Sequence, residues 1–257
     1  MSASLASNPW IGFHHARPSA QSRLFCFPYA GAGASVFRTW PALLSRSVEI
    51  CGMQYPGREQ RVDEPYCTDI LVLAETLAAE LAPYLTTRFA FFGHSLGALV
   101  AYEVTRILRD RHLPMPARLF ISGRHAPHLA SRHNPLHRLP DPQFIACMRQ
   151  FNALPVEVFG NSELLSLLVP ILKADFAMGE NYIYVDGPPL TVPMSVFAGP
   201  GDPGISPEDL TAWRELAAGP FEWKQFPGGH LFLHSRRREL IETIVGSLKI
   251  HAPAALP

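Results

Sequence analysis

The stretch F-A-F-F-G-H-S-L-G-A-L-V-A-Y-E at 89–103 leaves this chain few ways to fold. Four apolar residues, Phe89 to Phe92, run into Gly93-His94-Ser95-Leu96-Gly97 and then into a segment rich in Ala, Leu and Val. A G-x-S-x-G between a strand and a helix is the pattern of a nucleophile elbow, in which the serine stands at the tip of a strained turn. The backbones on either side of such a turn pass too closely for a side chain, which is why Gly93 and Gly97 flank it. The turn lifts the Ser95 hydroxyl clear of the sheet. It also aims the start of the next helix, with its free N–H groups and positive dipole end, at any oxyanion formed there.

Around this element the chain alternates. Apolar runs at 23–27, 48–54, 89–92, 118–122, 193–198 and 221–226 read as strands. Segments at 35–44, 68–85, 96–110, 206–217 and 235–249 read as helices, the second with Leu71, Ala74, Leu77, Ala78 and Leu81 on one side. Strand–helix alternation implies an α/β fold, a mainly parallel sheet with helices on both faces. The rhythm stops at 125–190, where two helices at 142–151 and 164–184 carry many apolar residues, among them Phe144, Met148, Phe151, Leu154, Leu164, Leu167 and Phe176. In a fold with this elbow, an insertion there is expected to be a helical lid over the serine. Residues 1–22 read as a loose N-terminal arm and 23–257 as one domain containing the lid.

Composition narrows the function. Hydrophobic residues make up 47% and charged residues 17%, enough for a large core, while Lys plus Arg equals Asp plus Glu at 22 each. The densest basic cluster, Arg236-Arg237-Arg238, reads as a solvated helix face, so no nucleic-acid partner is expected. Cys26, Cys51, Cys67 and Cys147 have no C-x-x-C spacing and read as reduced, partly buried thiols, which suits the cytoplasm. The first 22 residues have no apolar run of signal-peptide type, and no stretch is long enough to span a membrane. A monomer is expected.

A serine hydroxyl needs an adjacent base, and the base needs an orienting acid. In this fold their chain order is Ser, acid, His. Asp202, in the turn A-G-P-G-D-P after the 193–198 strand, fits the acid, and His230, in F-P-G-G-H-L-F after the last strand, fits the base. Asp209 and, behind it, Glu208 are the alternative acids; His94, His125 and His234 are weaker bases by position. The two oxyanion donors expected are the backbone N–H of Leu96 and that of Ala30, in the small-residue loop P-Y-A-G-A-G after the first strand. No metal and no cofactor is expected.

These segments together resemble the stand-alone type II thioesterases of polyketide and non-ribosomal peptide biosynthesis, members of the α/β-hydrolase superfamily. The matching motifs are F-P-Y-A-G-A-G-A-S at 27–35, Q-Y-P-G-R-E at 54–59, G-H-S-L-G-A-L-V-A-Y-E at 93–103 and S-G-R-H-A-P at 122–127. Further on come L-K-A-D-F-A-M-G-E-N-Y at 172–182, S-P-E-D-L-T-A-W at 206–213 and P-G-G-H-L-F-L at 227–233. Leu96, Pro200, Lys173 and Asn152-Ala153 depart from the usual pattern without touching the three residues above. The resemblance implies Ser95 as nucleophile, His230 as general base, Asp202 as its orienter, and Ala30 and Leu96 as oxyanion donors. It implies hydrolysis of acyl groups from the phosphopantetheine arms of acyl or peptidyl carrier domains, the partners, to clear stalled or mis-primed synthases. The phosphopantetheine belongs to the partner. The carrier is expected to dock near the lid entrance, with Arg124, Arg132 and Arg138 as candidate contacts. A medium- or long-chain fatty-acyl thioesterase, an acyltransferase and an inactive carrier-binding module are the alternatives.

Overall fold

A computed structural model of the chain describes residues 5–130, 134–150, 154 and 156–250. Among them the apolar runs pair into one seven-stranded sheet, ordered β1-β3-β2-β4-β5-β6-β7. The strands are β1 (Ile11–His15), β2 (Ser22–Phe27), β3 (Val48–Met53), β4 (Phe89–His94), β5 (Leu119–Ser122), β6 (Met194–Ala198) and β7 (Phe221–Gln225). Every neighbouring pair is parallel except β1 with β3. The strands β3 to β6 are buried along their whole length, as expected where helices cover both faces of a parallel sheet.

Alternation along the strands sorts side chains into two cores. Phe25, Phe27, Phe91, Ile121 and Val196 face one side, where α1 (Ile70–Leu81) and α2 (Leu96–Asp110) pack. Leu24, Cys26, Phe92, Phe120 and Phe197 face the other, where the last helix covers them with Leu240, Ile241, Ile244 and Leu248. Each fully buried Phe of this kind stabilises the fold by about 1.5–3 kcal/mol relative to exposure.

The order β3-β2-β4 creates the feature that places the site. The chain leaves β2 toward one edge and crosses back to β4 on the other side. The loops after β2 and β4 therefore diverge and leave a crevice at their carboxyl ends, where ligands bind in open α/β sheets. The loop after β2 holds Ala30, and that after β4 is the Ser95 turn.

Several local expectations change. The expected N-terminal arm contains β1, whose register against β3 is reinforced by His14 Nε2 at 2.7 Å from Glu49 Oε1. The expected 35–44 helix is two short 3₁₀ turns, Ala34–Phe37 and Trp40–Ala42, because Pro41 has no N–H to continue a helix. In α1 the Asp69 carboxylate caps Leu71 N and Val72 N, and Pro83 ends the regular helix at Leu81. Its buried stripe runs through Ile70, Leu73, Ala74, Leu77, Ala78 and Leu81, and Leu71 lies off it, 42% exposed. The 206–217 segment divides into α5 (Pro207–Ala212) and a 3₁₀ turn, following the insertion helices α3 (Asp141–Gln150) and α4 (Ser162–Glu180). The final segment divides into α6 (Phe232–Ser235) and α7 (Arg237–Ile250).

The insertion carries its own small core: Phe144 and Met148 of α3 pack on Val169 and Leu172 of α4. Leu164 and Leu167 point outward, 42% and 64% exposed. Phe151, Asn152, Ala153 and Arg132 lie outside the described residues.

Candidate active site

Ser95 joins β4 to α2 with φ 54° and ψ −114°, a left-handed backbone that an L-residue adopts only under constraint. The constraint comes from its neighbours. A Cβ on Gly93 would stand 2.1 Å from the Gly97 carbonyl oxygen, and one on Gly97 would stand 2.1 Å from that of Phe27. The Ser95 N–H donates to the Ser122 carbonyl at 2.7 Å, tying the turn to the end of β5. Leu96 opens α2, so its N–H belongs to the first turn, which has no carbonyl within the helix to bind.

His230 Nδ1 lies 2.6 Å from Asp202 Oδ2. A carboxylate can only accept, so Nδ1 carries the proton and Nε2 keeps the lone pair of the neutral ring. The carboxylate is held in turn, its Oδ1 accepting from the Gly204 N–H at 3.0 Å. The two loops interlock through glycines: Gly201 N–H donates to the Gly228 carbonyl at 2.9 Å, and a Cβ on Gly199 would stand 2.4 Å from the Gly228 oxygen. Neither loop has room to shift without the other.

Ser95, Leu96, Ala30, Asp202 and His230 all line one cavity of about 280 Å³. Its far wall is α4, through Leu172, Phe176 and Gly179. The alternative acids lie elsewhere. Asp209 closes a capping box at the start of α5, its Oδ2 accepting from Ser206 N–H at 2.8 Å, and Glu208 is exposed. His94 is buried behind the elbow, with Nδ1 at 2.9 Å from Ser122 Oγ and its ring 5.2 Å from that of His230. Burial, with help from the neighbouring His230 and His234, lowers the His94 pKa well below that of a free histidine. The Tyr29 hydroxyl, 2.9 Å from His234 Nε2, is pushed up to about 12 by burial. Of the docking candidates, Arg124 lines the cavity and Arg138 is exposed.

Two further motifs, Q-Y-P-G-R-E and L-K-A-D-F-A-M-G-E-N-Y, meet beside this cavity through residues with no role in the Ser-His-Asp reading. Arg58 of Y-P-G-R-E and Asp175 of L-K-A-D-F meet in a fully buried bidentate ion pair, Nη1 to Oδ2 at 2.5 Å and Nη2 to Oδ1 at 2.8 Å. Burial would lower the Arg58 pKa, but the Asp175 carboxylate more than offsets it and holds it above the usual value. Asp175 Oδ2 also accepts from Gly31 N–H at 2.7 Å. Gly31 has φ +79°, and a Cβ there would stand 2.6 Å from Leu172 of α4. One carboxylate thus fixes α4, the Arg58 segment and the Ala30 loop to each other.

The Thioesterase domain family matches residues 22–248. The chain belongs to the thioesterase family. This thioesterase is 38% identical over 243 residues to the gramicidin S biosynthesis protein GrsT of Aneurinibacillus migulanus, covering 95% of each chain. It is 38% identical to the thioesterase PikA5 of Streptomyces venezuelae, over 95% of this chain and 87% of that one. Its fold superposes on RedJ, a thioesterase of the prodiginine pathway in Streptomyces coelicolor, with a TM-score of 0.85 and 36% identity, covering 90% and 92% of the two chains. The protein is therefore an α/β-hydrolase-fold enzyme acting on thioesters. Among the described residues no helix is long and apolar enough to cross a membrane.

Proposed function

We propose that this thioesterase removes acyl groups from the phosphopantetheine arms of carrier domains in a polyketide or non-ribosomal peptide pathway, through a covalent acyl-Ser95 intermediate. The observation that carries the reading is the His230–Asp202 pair opening on the same cavity as a serine held at φ 54°. The names of its relatives, a gramicidin S biosynthesis protein among them, support the pathway class.

The chemistry follows from the atoms. Asp202 keeps the His230 proton on Nδ1, so Nε2 is the free base that takes the Ser95 proton as Oγ attacks the thioester carbon. The oxygen of the tetrahedral intermediate receives the N–H of Leu96, strengthened by the α2 dipole, and the N–H of Ala30. Collapse breaks the C–S bond, and His230 returns its proton to the leaving pantetheine sulfur. Water then repeats the sequence on the acyl-serine, releasing the acid and restoring Ser95. No step needs a metal or an organic cofactor. Helix α4 acts as a lid whose Leu172 and Phe176 shelter the acyl chain and limit water at the ester.

Kinetics on the same acyl group offered on a carrier protein and on N-acetylcysteamine test the partner. A carrier preference of about tenfold or more in kcat/KM supports carrier docking. Equal rates on both would remove the carrier from the proposal.

A further inference from the structure

The cavity holds three carboxylates, and each is already occupied. Asp202 holds His230 and Gly204. Asp175 holds Arg58 and Gly31. Glu180 accepts from Leu136 N–H at 2.9 Å, His137 N–H at 3.1 Å and, at 2.6 Å, contacts His137 Nδ1. Among the described residues the wall contains one arginine and no lysine. That arginine, Arg124, has its Nε buried with no hydrogen-bond partner.

Its position is fixed from behind. Trp213 Nε1 donates to the Arg124 carbonyl at 2.9 Å, so the backbone cannot swing the side chain away. The guanidinium lies against α4, with Nη1 and Nη2 3.7 and 3.9 Å from the place of a Cβ on Gly179. Leu96 Cδ1, from the residue after the nucleophile, is 3.5 Å from the same point. The head of Arg124 therefore sits between the lid helix and the floor of the acyl site. Tyr182, which also lines the wall, does not complete it, because its hydroxyl donates to Glu103 Oε1 at 2.6 Å. Burial pushes the Arg124 pKa down to about 10, against the pull of Tyr182 and Glu180, so the group stays cationic at neutral pH.

A buried Nε–H left without an acceptor costs the fold free energy, and such a cost persists where a ligand removes it. Guanidinium groups bind carboxylates and phosphates through two parallel N–H donors. We propose that Arg124 is the subsite for an anionic group of the substrate, a carboxylate on the acyl chain or the phosphate of the pantetheine arm. This rests on the thioesterase reading above and adds a charge preference to it. Lid contact at Gly179 makes the subsite complete only with α4 in place.

The test compares the parent enzyme with Arg124→Gln and Arg124→Lys on four small thioesters. Two are a neutral acyl group and one ending in a carboxylate, both on N-acetylcysteamine. Two carry the neutral acyl group on pantetheine and on 4′-phosphopantetheine. The parent is expected to favour one anionic member over its neutral counterpart by about tenfold or more in KM, the size of a charge-assisted hydrogen bond. That ratio should collapse in Arg124→Gln and be partly kept in Arg124→Lys. A ratio that follows the acyl carboxylate assigns the acyl chain, and one that follows the phosphate assigns the arm. A parent that hydrolyses all four with no charge preference overturns this inference and leaves the thioesterase reading standing, whether or not Arg124→Gln folds. So does a preference that both variants retain in full. A parent that hydrolyses neither these four nor an acyl-loaded carrier overturns both; one active only on carriers is compared on carriers bearing the neutral and the carboxylate acyl group, where equal KM in the parent overturns the inference.

Discussion

Arg58 and Asp175, 117 residues apart, close a buried two-bond ion pair that joins α4 to the segment after β3. The third bond of Asp175, to Gly31 N–H, lands one residue from Ala30. The pair is therefore part of what sets the direction of the Ala30 N–H, as well as a clasp on α4.

Removing one partner should be far worse than removing both. Arg58→Met leaves the Asp175 carboxylate buried without its cation, a loss of about 3–5 kcal/mol, whereas Arg58→Met with Asp175→Leu should regain most of it. Urea midpoints of the two variants and the parent measure this. Activity should fall in the double variant even as stability returns, because Asp175→Leu takes away the acceptor of the Gly31 N–H. Equal stability of the single and double variants would show that the pair carries no buried charge.

Truncating the proposed catalytic residues should act as a unit. Ser95→Ala, His230→Ala and Asp202→Asn should each lower kcat by roughly 10³-fold or more, and combining them should add little. Asp209→Asn should instead cost about 1 kcal/mol of stability through the lost capping box, with kcat near that of the parent. Steady-state rates beside thermal melts separate the two effects. A severe kcat loss in Asp209→Asn with a mild one in Asp202→Asn would reverse the assignment.

The elbow glycines should tolerate nothing larger. Gly97→Ala sets a methyl 2.1 Å from the Phe27 carbonyl oxygen, which is backbone and cannot rotate aside. A loss of about 3 kcal/mol or more, or no soluble protein at all, is expected. Gly246→Ala, with nothing within 4 Å, is the control and should be near neutral or slightly stabilising.

Acid should unfold the protein partly through His94. Its pKa is lowered in the folded state, so below the free-histidine value of 6.5 the unfolded chain binds a proton that the folded one refuses. Stability is then present above pH 6.5 and falls as pH drops below it, by up to about 1.4 kcal/mol per unit from this group. His94→Gln should flatten that slope in urea titrations between pH 5 and about 6.5. An unchanged slope would move the effect to other histidines.

The sequence made the elbow legible because its rule is local: a four-residue strand, two glycines and a serine fix the turn wherever they occur. Asp202 and His230 were readable for a related reason, each lying in a glycine-rich turn after a strand. The Arg58–Asp175 pair was not, since nothing in either motif says which residue a charge meets across 117 positions. β1 escaped for the same kind of cause: Ile11–His15 is short, carries two histidines, and becomes a strand only because β3 offers it an edge. Pro41 was visible in the sequence and should have argued against one helix at 35–44.

Ser95 is proposed to carry the acyl group between thioester cleavage and hydrolysis. The most direct measurement is rapid-quench mass spectrometry of the enzyme mixed with an acyl-loaded carrier, followed by peptide mapping across 93–103. The acyl mass is expected on Ser95 within the first turnover, decaying to free acid as water arrives, with no adduct in Ser95→Ala. Steady hydrolysis with the acyl group on another residue, or undiminished hydrolysis by Ser95→Ala, would contradict it.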